Sequence, residues 1–318
     1  MGAAAPLVSI PEAPVPDGAQ AEWFQGAGGA RLRAATFPTP GPVRGTVVLS
    51  PGRTEPIEKY FETITDLTGR GFQVLAHDWR GQGLSQRLLP DRLRGHAEGF
   101  QDFLADHEAL LDAFGDRLPR PWIALGHSMG GCLVMLALAG GEHRFDAAIV
   151  SAPMLAVVTG RFPPWFARAV AGLHLWFGRG GEFALPSFDP LADRFEIERM
   201  THDRRRYDRY KAQLRACPDL ALGAVTWGWL DFALKASLVL GAPGALESIR
   251  IPLSLVTAGD DRLVLNAASK AAVRRAPQGR CLEIAGAFHE ILMEIDPLRD
   301  QFWRAFDALV DPISGPRA

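Results

Sequence analysis

A serine with glycines two residues away on either side, Gly126-His127-Ser128-Met129-Gly130, separates two apolar runs. The first, Pro121-Trp122-Ile123-Ala124-Leu125, has the length of a buried strand. The second, Cys132-Leu133-Val134-Met135-Leu136-Ala137-Leu138-Ala139, has the length of a helix. A serine forced between strand and helix must turn sharply with strained backbone angles, and the flanking glycines leave room for the turn. The turn lifts the hydroxyl above the sheet edge and aims the positive end of the helix at its surroundings. Ser128 is the candidate nucleophile.

A serine hydroxyl needs a base, and the base an orienting acid. In this architecture the acid and the histidine follow the serine in that order. Leu253-Ser254-Leu255-Val256-Thr257-Ala258-Gly259 reads as a short buried strand, with Asp260 and Asp261 just past its end. Cys281-Leu282-Glu283-Ile284 reads as another, running into Ala285-Gly286-Ala287-Phe288-His289 and a helix from about Ile291. His289 is the candidate base. Of the two aspartates Asp261 is preferred as the acid, leaving Asp260 to cap the turn.

Two backbone N–H groups are needed where negative charge develops. One is that of Met129, after the serine. The other is assigned to Arg53, because Pro51-Gly52 makes a turn straight after the strand Thr46-Val47-Val48-Leu49.

Four segments carry a resemblance. They are Pro51-Gly52-Arg53-Thr54-Glu55, Ala76-His77-Asp78-Trp79-Arg80-Gly81-Gln82-Gly83-Leu84-Ser85, Gly126-His127-Ser128-Met129-Gly130-Gly131 and Gly286-Ala287-Phe288-His289-Glu290-Ile291-Leu292-Met293-Glu294. Together they resemble the monoacylglycerol lipase and bacterial lysophospholipase group of α/β-hydrolases, over about Glu22 to Leu309. The resemblance implies Ser128, Asp261 and His289 as a triad, the amides of Arg53 and Met129 as an oxyanion hole, and no cofactor. Monoglyceride lipases of the group carry histidine where this chain has Pro51, which tilts the resemblance toward the lysophospholipase branch.

The expected fold is α/β: a mostly parallel central sheet with helices on both faces. Residues 1–21, alanine- and proline-rich, read as a flexible lead-in. Residues 22–153 and 249–318 read as the two parts of the α/β-hydrolase core. Between them, residues 154–248 show helices without obvious strands, and the resemblance implies that this block is a cap, or lid. Its aromatic residues Trp165, Phe166, Trp176, Trp227 and Trp229 are candidates for binding an acyl chain. The stretch Phe162–Phe177 is apolar nearly all round, which favours a buried helix over one that dips into a membrane surface. The basic run Arg199–Lys211 reads as a solvated face, with attraction to a phosphate or anionic lipid headgroup as the sharper alternative.

With 47% hydrophobic residues and a net charge of −2, the 318-residue chain has no uncompensated basic face, which argues against a nucleic-acid partner. Cys132, Cys217 and Cys281 are odd in number and widely spaced, and His96, His107, His143, His174 and His202 have no metal-ligand spacing. Neither a disulfide framework nor a metal is expected. No leader and no run of membrane-spanning length stands out, so the expected setting is cytoplasmic, with transient contact at the inner membrane surface through the cap. The expected substrate is a lipid-like ester carrying one acyl chain. General carboxylesterase, acyltransferase and proline-type aminopeptidase activity are the alternatives on the same scaffold, and a non-catalytic binding protein is the remaining one. Oligomeric state is not legible in the sequence.

Overall fold

The computed structural model describes residues 2–186, 189–192, 194–197 and 199–315. Among these residues eight strands form one sheet: β1 (Gln20–Gln25), β2 (Arg31–Phe37), β3 (Gly45–Ser50), β4 (Phe72–His77), β5 (Trp122–His127), β6 (Ala147–Ser151), β7 (Leu253–Ala258) and β8 (Gly279–Ile284). Their spatial order is β1-β2-β4-β3-β5-β6-β7-β8. The hairpin β1–β2 is antiparallel, β2 meets β4 antiparallel, and every pairing from β4 to β8 is parallel. Strands β3, β5, β6 and β7 are buried along nearly their whole length. Burial on both faces explains why they read as unbroken apolar runs and not as alternations.

Among the described residues, eight helices accompany the strands: α1 (Phe61–Thr68), α2 (Gln101–Phe114), α3 (Ser128–Ala139), α4 (Pro164–Trp176), α5 (Arg204–Ala216), α6 (Trp227–Gly241), α7 (Asn266–Val273) and α8 (Asp296–Ser314). Alternate strand residues fill two cores. Val48, Leu75 and Ala124 pack under Phe103 of α2, Met135 of α3 and Phe232 of α6. Val47, Leu49 and Ile123 pack on the other face against Ile64 of α1 and Phe302 and Phe306 of α8. Helix α3 lies between the sheet and α6, which is why it is apolar on every side.

The chain leaves β3 toward β4 on one side and returns from β4 to β5 on the other. This is a topological switch point, where open α/β sheets form a crevice at their carboxyl ends. Ser50 and Gly126 are partners in the β3–β5 register, so the loops following these strands leave side by side.

A 3₁₀ turn, Ile57–Tyr60, leads into α1 at Phe61. Two sequence expectations change. The helix expected from about Ile291 is a single 3₁₀ turn, Ile291–Met293, and α8 begins at Asp296, with Pro297 in its first turn, where its missing N–H costs nothing. Residues 2–21, within the segment expected to be a flexible lead-in, pack on the domain. Ala4 bridges Glu22, Ile10 and Ala13 are buried, and the Arg33 guanidinium donates to the Pro6 carbonyl at 2.9 Å. Between β6 and β7 the described residues contribute α4, α5 and α6 and no strand of the sheet. No helix among the described residues is long and apolar enough to cross a membrane.

Candidate active site

Ser128 opens α3 directly after β5 with φ of +49°, a left-handed backbone that serine rarely adopts. The two glycines have separate reasons. A Cβ on Gly130 would sit 2.2 Å from the Ser50 carbonyl oxygen and 2.4 Å from that of Pro51. One on Gly126 would sit 2.7 Å from the Gly131 Cα. All of these obstacles are backbone and none can swing aside. Only glycine lets the serine turn nest against the loop after β3.

Asp261 follows β7 and His289 follows β8, so both reach the same sheet end as Ser128. The Ser128 hydroxyl donates to His289 Nε2 at 2.9 Å, and His289 Nδ1 donates to Asp261 Oδ2 at 2.7 Å. The Asp261 Oδ1 oxygen accepts from the Leu263 and Val264 amides at 2.8 and 3.1 Å. Burial opposes ionisation of Asp261, yet His289 and these two amides hold its carboxyl below the ordinary range. Capping the turn and orienting the histidine are thus done by one carboxylate. Asp260, expected to be the cap, is exposed, and its backbone amide donates to the Ala287 carbonyl.

Three features hold the loop after β3. The Gly52 amide donates to Glu55 Oε2 at 2.6 Å, the Thr54 amide donates to Gln82 Oε1 at 2.7 Å, and Trp79 Nε1 donates to the Pro51 carbonyl at 2.8 Å. Between the first two, the Arg53 amide has no protein acceptor among the described residues. Met129, in the first turn of α3, stands where an N–H has no intrahelical partner. Its sulfur accepts from Gln82 Nε2 and Trp229 Nε1 at 3.5 and 3.4 Å.

Behind the loop lies a buried charge cluster. Lys59 Nζ bridges Glu55 Oε1 at 2.9 Å and Glu290 Oε1 at 2.6 Å, and the Tyr60 hydroxyl donates to Glu55 at 2.5 Å. Burial alone would push the Glu55 carboxyl up, but Lys59 and Tyr60 outweigh it and hold the group ionised. His127 packs as expected, its Nδ1 donating to the Ser151 carbonyl at 3.1 Å, and burial keeps its ring neutral. Asp78 and Arg80 brace the next loop. Asp78 meets Arg33 at 2.8 Å and the Leu84 and Ile57 amides, while Arg80 is forked onto Asp106.

Two cavities lie among the elements around the site, neither of them lined by Ser128, Asp261 or His289. An apolar one of about 460 Å³ lies between α4, α6 and α7, lined by Leu155, Val157, Trp165, Leu234, Leu238 and Ala272. Leu155 directly follows Met154, whose amide donates to the Ser128 carbonyl. A polar one of about 260 Å³ is lined by Arg53, Lys59, Tyr210, Lys211, Leu263 and Glu290, among others. Leu263 is two residues past Asp261, and Glu290 follows His289. Of the expected chain-binding aromatics, Trp165 lines the apolar cavity and Trp229 touches Met129. Phe166, Trp176 and Trp227 line neither cavity. Phe166 stacks on Phe162, Trp227 stacks on His174 with ring centroids 4.1 Å apart, and Trp176 is 84% exposed.

The expectation of a buried helix over Phe162–Phe177 fails, since only Ala171 of α4 is buried while Trp165, Leu173, Trp176 and Phe177 face outward. All-round apolarity here reflects a helix with one face on α6 and the other uncovered. The basic run belongs to neither reading offered for it as a whole. Arg206 is buried and divides its guanidinium among Glu62, Asp203, Asp296 and the Glu294 carbonyl, and Arg209 joins it on Glu62. These arginines tie α5 to α1 and α8, while Arg204 and Arg205 remain at the surface. Glu294 is a further anchor, for which the sequence alone suggests no role. It is fully buried and accepts from the Phe288, His202 and Ile295 amides and from His202 Nδ1.

Comparison with known proteins agrees with this architecture. The family model described as serine aminopeptidase, S33 (Hydrolase_4) matches residues 41–296. The chain is 36% identical over 279 residues to lysophospholipase L2 of Escherichia coli K12, covering 83% of this chain and 79% of that one. It is 27% identical over 277 residues to the monoacylglycerol lipase of Mycolicibacterium smegmatis, covering 85% and 90%. Among solved structures, a soluble variant of monoglyceride lipase from Saccharomyces cerevisiae superposes with a TM-score of 0.73 at 20% identity, covering 97% of this chain and 99% of that one. The motif order, the sheet topology and these matches together place the chain in the Hydrolase_4 (serine aminopeptidase, S33) family of α/β-hydrolases.

Proposed function

We propose that the protein is a serine hydrolase that cleaves the acyl ester of a single-chain glycerolipid, a lysophospholipid or a monoacylglycerol. The observation that carries this is the unbroken hydrogen-bonded line from Ser128 through His289 to Asp261, and the apolar cavity between α4, α6 and α7 suits an acyl chain. The names of the relatives support the substrate class.

In the reaction, the Ser128 hydroxyl attacks the ester carbonyl carbon while His289 Nε2 takes its proton. Asp261 holds the proton on Nδ1 and steadies the charged ring. The carbonyl oxygen becomes an oxyanion that the Arg53 and Met129 amides meet, each worth on the order of 3 kcal/mol. The unpartnered Arg53 amide, fixed between two occupied neighbours, suits that role. The tetrahedral adduct collapses, His289 passes its proton to the departing alkoxide, and an acyl-Ser128 ester remains. Water, activated by the same imidazole, then releases the fatty acid.

The inserted helices over residues 154–248 act as a cap. The apolar cavity takes the acyl chain. The uncovered aromatic face of α4 rests on a membrane surface, from which a single-chain lipid is drawn, in keeping with a cytoplasmic protein peripheral to the inner membrane. The test is fatty-acid release from lysophosphatidylethanolamine and from monoacylglycerol by wild type and Ser128→Ala. Release by the wild type that vanishes in the variant supports the reading, and equal release by both proteins, or none by either, refutes it.

A further inference from the structure

The polar cavity beside the triad holds four cationic side chains, and three of them are already engaged. Lys59 is shared by two carboxylates, Arg206 by three carboxylates and a carbonyl, and Lys211 Nζ donates to the Pro190 carbonyl at 2.6 Å. Arg53 differs. Among the described residues its guanidinium has no carboxylate partner. Nη2 donates to the Gly223 carbonyl, Nε is buried with no acceptor, and the fork lies 5.5 Å over the Trp229 ring. Arg87, the other arginine among the described residues that burial lowers, also has a buried Nε without an acceptor, but it does not line this cavity, and both its terminal nitrogens are used, on the Gly81, Asp219 and Ala221 carbonyls. Burial pushes the Arg53 guanidinium down to about 10, the response of a cation that lacks a counter-charge. A buried charge left with spare donors is costly, and a planar fork matches the two oxygens of a phosphate better than a lysine does.

Resting on the hydrolase reading above, we infer that the Arg53 side chain binds the phosphate of the substrate's headgroup and so sets preference for lysophospholipid over neutral monoacylglycerol. One residue then serves both ends of the scissile ester's surroundings. Its amide faces the oxyanion, and its side chain extends along the alcohol side, where a glycerol unit separates the ester from the phosphate. The acyl chain runs the other way, past Leu155 into the apolar cavity.

The experiment compares kcat/KM on lysophosphatidylethanolamine and on monoacylglycerol of the same acyl chain for wild type, Arg53→Gln and Arg53→Lys. Damage to the loop or the oxyanion donor lowers both substrates together and cancels in their ratio. The ratio is expected to fall on the order of 30-fold in Arg53→Gln and less in Arg53→Lys. A ratio within threefold of wild type overturns the inference. A second measurement stands apart from ester cleavage: calorimetric titration with sn-glycerol 3-phosphate. Binding by the wild type that is lost in Arg53→Gln supports the site even if neither ester is cleaved, which would sink only the hydrolase reading. Equal binding by both proteins, or none by the wild type, overturns it.

Discussion

Replacing Glu294 with alanine tests how the candidate base is held. The carboxylate is fully buried and accepts from the Phe288 amide at 2.8 Å, the His202 amide at 3.1 Å, the Ile295 amide at 3.1 Å and the His202 ring at 2.8 Å. His202, Phe288 and Ile295 are all partly exposed, so water replaces part of what their donors lose, and the Phe288 amide precedes His289 directly. A donor left unsatisfied costs about 1–3 kcal/mol, so partial losses at the four contacts sum to about 3 kcal/mol. At about 2 °C per kcal/mol for a chain of this size, the midpoint of thermal unfolding should drop by about 6 °C. Freed of this tether, the 288–290 segment should also let the imidazole drift, lowering kcat at least tenfold on a short soluble ester at a temperature where the variant is folded. Glu294→Gln keeps an acceptor for Phe288 and should lose about 1 kcal/mol. Circular dichroism melts with initial rates provide both numbers. A Glu294→Ala protein melting within 1 °C of wild type, with unchanged kcat, would refute the view that this carboxylate positions the base.

Three further outcomes follow from the geometry. Asp261→Asn should lower kcat by about 10³- to 10⁴-fold, whereas Asp260→Asn, altering an exposed side chain, should stay within twofold; the reverse pattern would reassign the acid. Glu62 is partly desolvated, which opposes its charge, but Arg206, Arg209 and Arg299 prevail and bring its carboxyl to about 2. A carboxyl depressed in the folded state stabilises above its unfolded value of about 4.3 and loses that contribution as the pH falls toward 2. Acid unfolding of Glu62→Gln should therefore be flatter than that of wild type over this range, and parallel curves would exclude Glu62 as the acid-sensitive tie of α5. Trp165 lines the apolar cavity, so the test of the α4 surface is better made at Trp176 and Phe177. Replacing both with serine should weaken sedimentation with lipid vesicles about tenfold or more without changing turnover of a soluble ester, and unchanged sedimentation would refute membrane contact through this face.

Much of the site was written in local sequence because its chemistry depends on turns that only certain residues can make. Ser128 between strand and helix, two glycines, and an aspartate and histidine after later strands are each short-range signals. Their chain order matches one sheet topology. The weaker readings share a cause. The apolar character of α4 indicated burial, but a sequence cannot say which apolar face finds a partner, and here α6 covers only one. The arginines of α5 looked like a surface feature because Glu62 and Asp296, which they meet, lie far away in the chain.

The sequence by itself determined the strand–turn–helix setting of Ser128, the glycines that setting requires, and the parallel sheet whose carboxyl ends collect the three polar groups. These follow from backbone sterics and from apolar runs too short and too continuous to sit anywhere but inside. Tertiary structure alone decided that Asp261 both meets His289 and caps its own turn, that Glu294 fixes the segment carrying His289, and that the Arg53 guanidinium has no carboxylate partner among the described residues. Such choices depend on the few ångströms between side chains remote in sequence, and long-range contacts set that spacing only once the sheet has closed around them.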